Sequence, residues 1–185
     1  MKKKIAVLFP GIGYHTDKPL LYYSKKLARK RGYEIAEVKY GTLPSGVKGN
    51  AEKMRKAFAM ALTYATEQLA EIDFATYEEV LFISKSVGTA VAAACAKKYA
   101  INPGQIYYTP VVESFDVIGQ NGIVFHGTAD PWAETEQIKA ACRQKNLPLY
   151  LTEHADHSME TGDVEQDLLI MRDIMQKTAA YMDEQ

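Results

Sequence analysis

The sequence has few cysteines, no excess of basic residues and no long apolar run. Its 185 residues include only two cysteines, Cys95 and Cys142, which stand far apart. Neither a disulfide framework nor a structural zinc site is therefore expected, and both side chains are predicted to be reduced thiols. The formal net charge of −1 gives no basic footprint for nucleic acid. No apolar run reaches the length of a membrane-spanning helix, so we expect a cytoplasmic protein that binds neither nucleic acid nor membrane.

What is present is typical of a globular domain. Hydrophobic residues make up 47% of the chain and charged residues 24%. The first apolar run, Ile5–Phe9, is too short for the core of a signal peptide and ends at Pro10-Gly11, so no secretory leader is expected. The chain shows no internal repeat, linker or low-complexity tract. We therefore predict one domain over residues 1–185.

Short apolar runs alternate with longer helical patterns along the chain. This alternation is typical of an α/β domain in which helices cover both faces of a parallel sheet. The predicted strands are Lys4–Phe9, Tyr33–Tyr40, Val80–Ser84, Gln105–Thr109, Ile123–His126 and Leu149–Thr152. The predicted helices are Pro19–Lys30, Ala51–Ala70, Val87–Tyr99, Ala133–Lys145 and Val164–Met182. The fold class is a three-layer αβα sandwich around a mostly parallel sheet of about six strands.

Three of these strands are followed by residues that form a chemically coherent set. Ser86, Asp130 and His157 follow the third, fifth and sixth predicted strands. Ligands bind beyond the carboxyl ends of parallel strands, so we expect the three side chains to lie close together. A serine hydroxyl needs a base to accept its proton, an imidazole can serve as that base, and a carboxylate can orient the imidazole.

The stretch around Ser86 joins a run of strand formers to a run of helix formers. Such a tight turn needs small neighbours, which Ser84 and Gly88 supply, although a glycine would be the usual residue at position 84. At the start of the helix, the backbone N–H of Val87 can point at a developing oxyanion. A second donor is expected from the glycine-containing loop after the first strand, from either Gly11 or Ile12.

Five segments together resemble the α/β-hydrolase superfamily, in particular its small, cap-less bacterial serine hydrolases. They are Phe9-Pro10-Gly11-Ile12-Gly13, Ser84-Lys85-Ser86-Val87-Gly88, Tyr108-Thr109-Pro110, Gly127-Thr128-Ala129-Asp130-Pro131-Trp132 and Ala155-Asp156-His157-Ser158. The resemblance implies a nucleophile at Ser86, an acid at Asp130 and a base at His157, in the chain order known for this fold. It also implies hydrolysis of a small ester, thioester or amide through an acyl-enzyme on Ser86, as in a carboxylesterase, with no cofactor and no metal.

Other readings of the same residues remain open at this point. Ser86 could simply cap a helix, and Ser84 is a rival hydroxyl. Asp116 and Asp156 are rival carboxylates, and His154 is a rival base. The same three residues would also serve an acyltransferase, and the fold could belong to a binding protein without turnover.

The surroundings of the three residues suggest how a substrate would be held. The segment between Pro110 and Gly122 is too short for a lid, so we expect an open cleft that the loop over residues 41–50 approaches. Tyr14, Tyr22, Tyr23 and Trp132 are predicted to line this cleft. Lys85 is expected to be either a solvated cation or a cation at the edge of the cleft, with contact to a substrate carboxylate as an alternative. A dinucleotide site at Gly11 and Gly13 is disfavoured because Thr16 stands where a third glycine is needed.

Overall fold

A parallel sheet organises the chain, whose residues 3–185 are described by a computed structural model. Within these residues the sheet has six strands in the order β2-β1-β3-β4-β5-β6, and every neighbouring pair is parallel. The strands are β1 (Lys4–Phe9), β2 (Tyr33–Glu37), β3 (Glu79–Lys85), β4 (Gly104–Tyr108), β5 (Ile123–Gly127) and β6 (Leu149–Thr152). The helices are α1 (Pro19–Lys30), α2 (Ala51–Leu69), α3 (Val87–Lys98), α4 (Thr135–Lys145) and α5 (Val164–Asp183).

Helices cover both faces of the sheet, because successive strand residues point to opposite sides. In β1, Ala6 and Leu8 pack in a core cluster with residues of α1 and α5. Val7 and Phe9 point the other way, into a cluster shared with α2 and α3. A third cluster, on the side of α4, includes Cys142. The predicted three-layer αβα arrangement is therefore confirmed, and both cysteines are buried free thiols.

Two predicted element boundaries differ from the structure by more than one residue: the end of β2 and the start of α4. Strand β2 ends at Glu37 rather than Tyr40, since Gln68 of α2 accepts from the N–H of Lys39 and donates to its carbonyl, at 2.9 and 2.8 Å. Helix α4 begins at Thr135 rather than Ala133. There the preceding turn is closed by a bond between the carboxylate of Asp130 and the backbone of Trp132.

The sheet order also determines where the loops meet. The connections change direction between β1 and β3, which are neighbours in the sheet. This switch point leaves a crevice outside the carboxyl ends of the two strands, the usual position of a ligand site in such sheets. The loop after β1 and the turn at Ser86 both lie at this crevice. Among the described helices, none is both long and apolar enough to cross a bilayer.

Candidate functional site

Ser86 lies on a sharp turn between β3 and α3. Its φ of 56° is unusual for a residue other than glycine, and strained backbone of this kind places a serine hydroxyl clear of the sheet in nucleophile elbows. Two glycines make room for the turn. A Cβ on Gly88 would lie 2.4 Å from the carbonyl oxygen of Pro10, and one on Gly11 would lie 3.1 Å from Cβ of Ser86. Small residues at both positions are therefore a steric requirement.

The three predicted polar residues form a continuous hydrogen-bonded relay. Oγ of Ser86 lies 2.8 Å from Nε2 of His157. Nδ1 of the same imidazole lies 2.7 Å from Oδ2 of Asp130. Both distances fall in the range expected for a nucleophile–base pair and for a base–carboxylate pair. The structure thus brings together the serine, histidine and aspartate that the sequence analysis selected.

The rival serine has a different role. Ser84 is fully buried in β3, and its hydroxyl donates to the carbonyl of Ile106 on the neighbouring strand, at 3.1 Å. The side chain that replaces the usual glycine is therefore turned into the sheet and satisfied there. Ser86, in turn, makes no side-chain cap bond to α3, so its hydroxyl is committed to His157 rather than to the helix.

Asp130 is held by several contacts at the end of β5. Its Oδ1 accepts from the backbone N–H of Trp132 at 2.8 Å, while Oδ2 receives the bond from His157. Gly127 lets this loop approach the histidine loop, since a Cβ there would lie 2.2 Å from the carbonyl oxygen of Ala155. The carboxylate therefore closes its own turn and orients the imidazole at the same time.

Two buried residues that the sequence analysis did not assign to the site support it from behind. Thr109, with a φ of 41°, donates its hydroxyl to the carbonyl of His157 at 3.1 Å. His126 is fully buried, with Nε2 3.1 Å from the hydroxyl of Thr135 and Nδ1 3.8 Å from Oδ2 of Asp130. In the sequence, His126 directly follows the apolar run Ile123–Phe125, and this run could have indicated that the histidine is buried. Nothing local in the sequence indicates Thr109.

The rival carboxylates and the rival base lie outside the relay. Asp116 is exposed at the end of a short 3₁₀ turn, Val112–Asp116, and Asp156 uses Oδ1 to accept from the N–H groups of Ser158 and Glu160. His154 is exposed with a φ of 61°. The relay therefore has one serine, one histidine and one carboxylate.

Burial and the neighbouring charges set the protonation of the relay. Burial lowers the pKa of His157 below its ordinary value and the positive charge of Lys85 lowers it further, although the hydrogen bond to Asp130 opposes both. Burial raises the pKa of Asp130, but the hydrogen bond and charge of His157 outweigh burial and hold that pKa below its usual range. Near neutral pH the arrangement is a neutral imidazole next to an ionised carboxylate, which is the state that a general base requires.

The backbone N–H groups near Ser86 differ in their availability. The N–H of Gly11 donates to the carbonyl of Tyr14 at 3.0 Å and closes a tight turn. Within residues 3–185, no acceptor lies in hydrogen-bonding geometry with the N–H of Ile12 or with that of Val87. Of the two donors considered for the first loop, Ile12 is therefore the one that is free to bind a ligand.

A cavity of about 270 Å³ opens over Ser86 and is called the Ser86 cavity below. Tyr14 and Trp132 line it, as predicted, together with Val47 from the loop over residues 41–50. The prediction was wrong for Tyr22 and Tyr23, which lie on α1 and line neither this cavity nor the larger one next to it. The ring of Trp132 packs 5.4 Å from the imidazole of His157, centroid to centroid. A larger cavity of about 600 Å³, the loop cavity, adjoins it and is lined by the loops after β1 and β2. Ser86 therefore faces the Ser86 cavity, and the loop cavity lies next to it at Ile12, Gly13 and Tyr14.

Solved structures with the same architecture come from several microorganisms. No family model matches the sequence, and no curated protein matches it either. Est1E from Butyrivibrio proteoclasticus, solved with ferulic acid bound, superposes with a TM-score of 0.71 at 14% identity, covering 100% of this chain and 90% of Est1E. A lid-less α/β serine hydrolase from Xanthomonas campestris gives 0.64 at 12% identity, covering 97% and 82%. The Pyrococcus furiosus esterase Pf2001 gives 0.67 at 12% identity, covering 99% and 83%.

This chain has the α/β-hydrolase fold. At 12–14% identity this likeness establishes the fold alone. The switch point between β1 and β3 and the sharp turn at Ser86 are consistent with that fold. In this α/β-hydrolase fold the segment between β4 and β5 contains only the 3₁₀ turn Val112–Asp116. The cleft expected from the short segment is present as the Ser86 cavity and the loop cavity.

Of the positions predicted for Lys85 in this α/β-hydrolase fold, the solvated one was wrong: the side chain is buried, and the residue lines the Ser86 cavity. It is 1% exposed, because it follows Leu81 and Ile83 on the buried face of β3. Its Nζ lies 4.9 Å from the ring centroid of Tyr14 and has no ion pair or hydrogen bond among the described residues. Burial lowers the pKa of the ammonium group to about 7, although Asp130 and Asp156 oppose the shift.

Replacing Lys85 by methionine should stabilise the fold, most strongly at low pH. The pKa of Lys85 is about 7 in the folded state and 10.5 ordinarily, because burial disfavours the charged form. Below pH 7 the buried side chain is charged, and the fold bears the whole destabilisation that this causes. This cost disappears as the pH rises from 7 to 10.5, because the folded protein then holds a neutral amine. We expect the free energy of unfolding of Lys85→Met to exceed that of the native protein by about 1–4 kcal/mol at pH 6. This difference should narrow by pH 10.

The measurement is urea unfolding of both proteins at several pH values, with the midpoint and slope compared at each. Lys139→Met is a suitable control, because Lys139 forms only an exposed pair with Glu136. A gain for Lys85→Met that stays constant between pH 6 and pH 10 would contradict the assignment of a buried ammonium.

Proposed function

We propose that this protein is a serine hydrolase that cleaves a carboxylic ester through an acyl-enzyme on Ser86. The observation that carries the proposal is the relay from Ser86 through His157 to Asp130, with distances of 2.8 and 2.7 Å. Its fold neighbours include an esterase and a lid-less serine hydrolase, which agrees with the same class of reaction. A small-molecule acyl substrate is the proposed ligand.

In the proposed first step, Oγ of Ser86 attacks the ester carbonyl while Nε2 of His157 takes its proton. The bond between Oγ and the carbonyl carbon forms, and the negative charge moves to the carbonyl oxygen. The imidazolium then gives its proton to the leaving oxygen as the ester C–O bond breaks. Asp130 stabilises the imidazolium throughout and keeps the imidazole in the required tautomer.

We propose that the oxyanion is bound by the N–H groups of Val87 and Ile12. Both lack a partner within the described chain and both line the Ser86 cavity. Val87 is the first residue of α3, where unpaired N–H groups and the helix dipole favour negative charge. Gly11 acts indirectly, because its own N–H is used and its lack of a side chain allows the close approach to Ser86.

In the second step, water replaces the leaving group and the same residues act again. His157 takes a proton from water, the hydroxide attacks the acyl carbon, and the proton returns to Oγ of Ser86 as the acyl bond breaks. The products are a carboxylic acid and an alcohol. The open cleft over Ser86 gives water direct access to the acyl-enzyme.

A fluorophosphonate probe tests the proposal without knowledge of the substrate. Native protein should be labelled at Ser86, detected as a mass increase on the peptide that contains it, because the relay activates this hydroxyl alone. The heat-denatured chain should not react, since the relay is then lost. Failure of the native protein to react would contradict the proposal and favour a binding protein with this fold.

A further inference from the structure

A third cavity, of about 370 Å³, is lined in part by Val87, the residue that follows Ser86, and is called the apolar cavity here. Seven apolar residues from α2, α3 and the segment after β4 line it: Ala51, Met54, Phe58, Val87, Ala90, Val111 and Val117. Val87 and Met54 line both this cavity and the Ser86 cavity. The two cavities therefore adjoin each other at Met54 and Val87.

The lining of the apolar cavity offers little to a polar ligand. Its buried polar side chain, Ser114, lies with its hydroxyl 3.0 Å from that of Thr89, so that group already has a partner. The charged residues at the cavity, Arg55, Glu113 and Asp116, are all exposed to solvent. The interior of the cavity is therefore apolar, and its charged residues lie only at solvent-exposed positions. This pattern is expected of a site that binds a hydrocarbon group.

The position of His157 decides which part of an ester lies on which side of Ser86. The imidazole must give a proton to the leaving oxygen, so this oxygen has to lie within hydrogen-bond reach of Nε2. His157 lines the Ser86 cavity and does not line the apolar cavity. The leaving group therefore extends from the Ser86 cavity toward the loop cavity. The acyl chain lies on the other side of the carbonyl and is therefore assigned to the apolar cavity.

We propose that the apolar cavity binds the acyl chain of the substrate, and that the preferred substrates are esters of medium-length, apolar carboxylic acids. This assignment rests on the proposed function and adds the substrate class. A cavity of about 150 Å³ suffices for benzene, so a cavity of this size accommodates an acyl chain of roughly eight carbons. Each methylene that enters should raise kcat/KM about fourfold until the cavity is full.

The test is the kcat/KM of p-nitrophenyl esters from acetate to decanoate, all of which share one leaving group. For the native protein we expect the octanoate-to-acetate ratio to be well above tenfold. Ala90→Leu adds bulk to the lining of the apolar cavity and should lower this ratio at least tenfold. Val117→Trp fills the same cavity from its more exposed side and should lower it as well.

Ala96→Leu is the matched control. Ala96 lies on the same helix and is 7% exposed, against 8% for Ala90, but it lines a different cavity that does not include Ser86. It should leave the octanoate-to-acetate ratio as in the native protein. A native ratio of one or less would overturn the proposal, as would Ala90→Leu and Val117→Trp variants that keep the native ratio.

Failure of this proposal is distinguishable from failure of the proposed function. If the fluorophosphonate labels Ser86 and acetate is hydrolysed but longer chains give no gain, only the acyl assignment is overturned. If neither labelling nor hydrolysis of any ester occurs in the folded protein, the hydrolase proposal is overturned, and the acyl assignment with it.

Discussion

Ser86→Ala should lower ester hydrolysis by at least about 10³-fold, without loss of the fold. Removal of Oγ leaves no group at the end of the relay that can form an acyl bond. The imidazole of His157 would remain hydrogen-bonded to Asp130, so the surrounding loops keep most of their contacts. The measurement is kcat/KM for a p-nitrophenyl ester, with circular dichroism to confirm that the sheet is intact.

Ser84→Ala is the matched control for this experiment. The two serines are separated by one residue, but the hydroxyl of Ser84 is buried against the carbonyl of Ile106 and does not face the cleft. Its loss should cost about 1 kcal/mol of stability and change kcat/KM less than tenfold. If Ser84→Ala abolished turnover while Ser86→Ala kept it, the assignment of the nucleophile would be wrong.

Asp130→Asn should lower kcat/KM by about 10⁴-fold. The carboxylate both accepts a hydrogen bond from Nδ1–H of His157 and stabilises the imidazolium that forms when Ser86 loses its proton. An amide carries no charge, and its N–H₂ group can favour the wrong tautomer of the imidazole. The bond from Trp132 to Oδ1 can persist in the variant, so the turn after β5 should keep its shape.

Asp156→Asn separates this effect from a general loss of negative charge. Asp156 is the rival carboxylate next to His157, and its Oδ1 accepts two backbone bonds that an asparagine oxygen can also accept. We expect a decrease of less than tenfold for this variant. A decrease as large as that of Asp130→Asn would show that the two carboxylates share the orienting role.

The sheet and the relay could be predicted because they depend on strand order and on which residues follow each strand. Once β3, β5 and β6 are recognised as parallel, Ser86, Asp130 and His157 must come to one edge. The end of β2 could not be found in this way, because it depends on Gln68, a side chain from another element that bonds to Lys39.

The burial of Lys85 could have been predicted from the sequence, by the alternation of side chains along β3. Strand alternation places it on the same face as Leu81 and Ile83, and that face is covered by helices.

The choice between Gly11 and Ile12 is a different case. It depends on the turn between Gly11 and Tyr14, which consumes one N–H and leaves the next one free, and no local pattern fixes that geometry.

The loops that carry the relay belong to strands spread over the far half of the sheet, and this has a consequence for folding kinetics. Ser86 and His157 are 71 residues apart in sequence, and among the described strands β6, which leads to His157, pairs with β5 alone. Contacts of such high sequence separation carry a loop-closure cost and form slowly. Recovery of Ser86 reactivity during refolding should therefore report the moment at which the last strand joins the sheet.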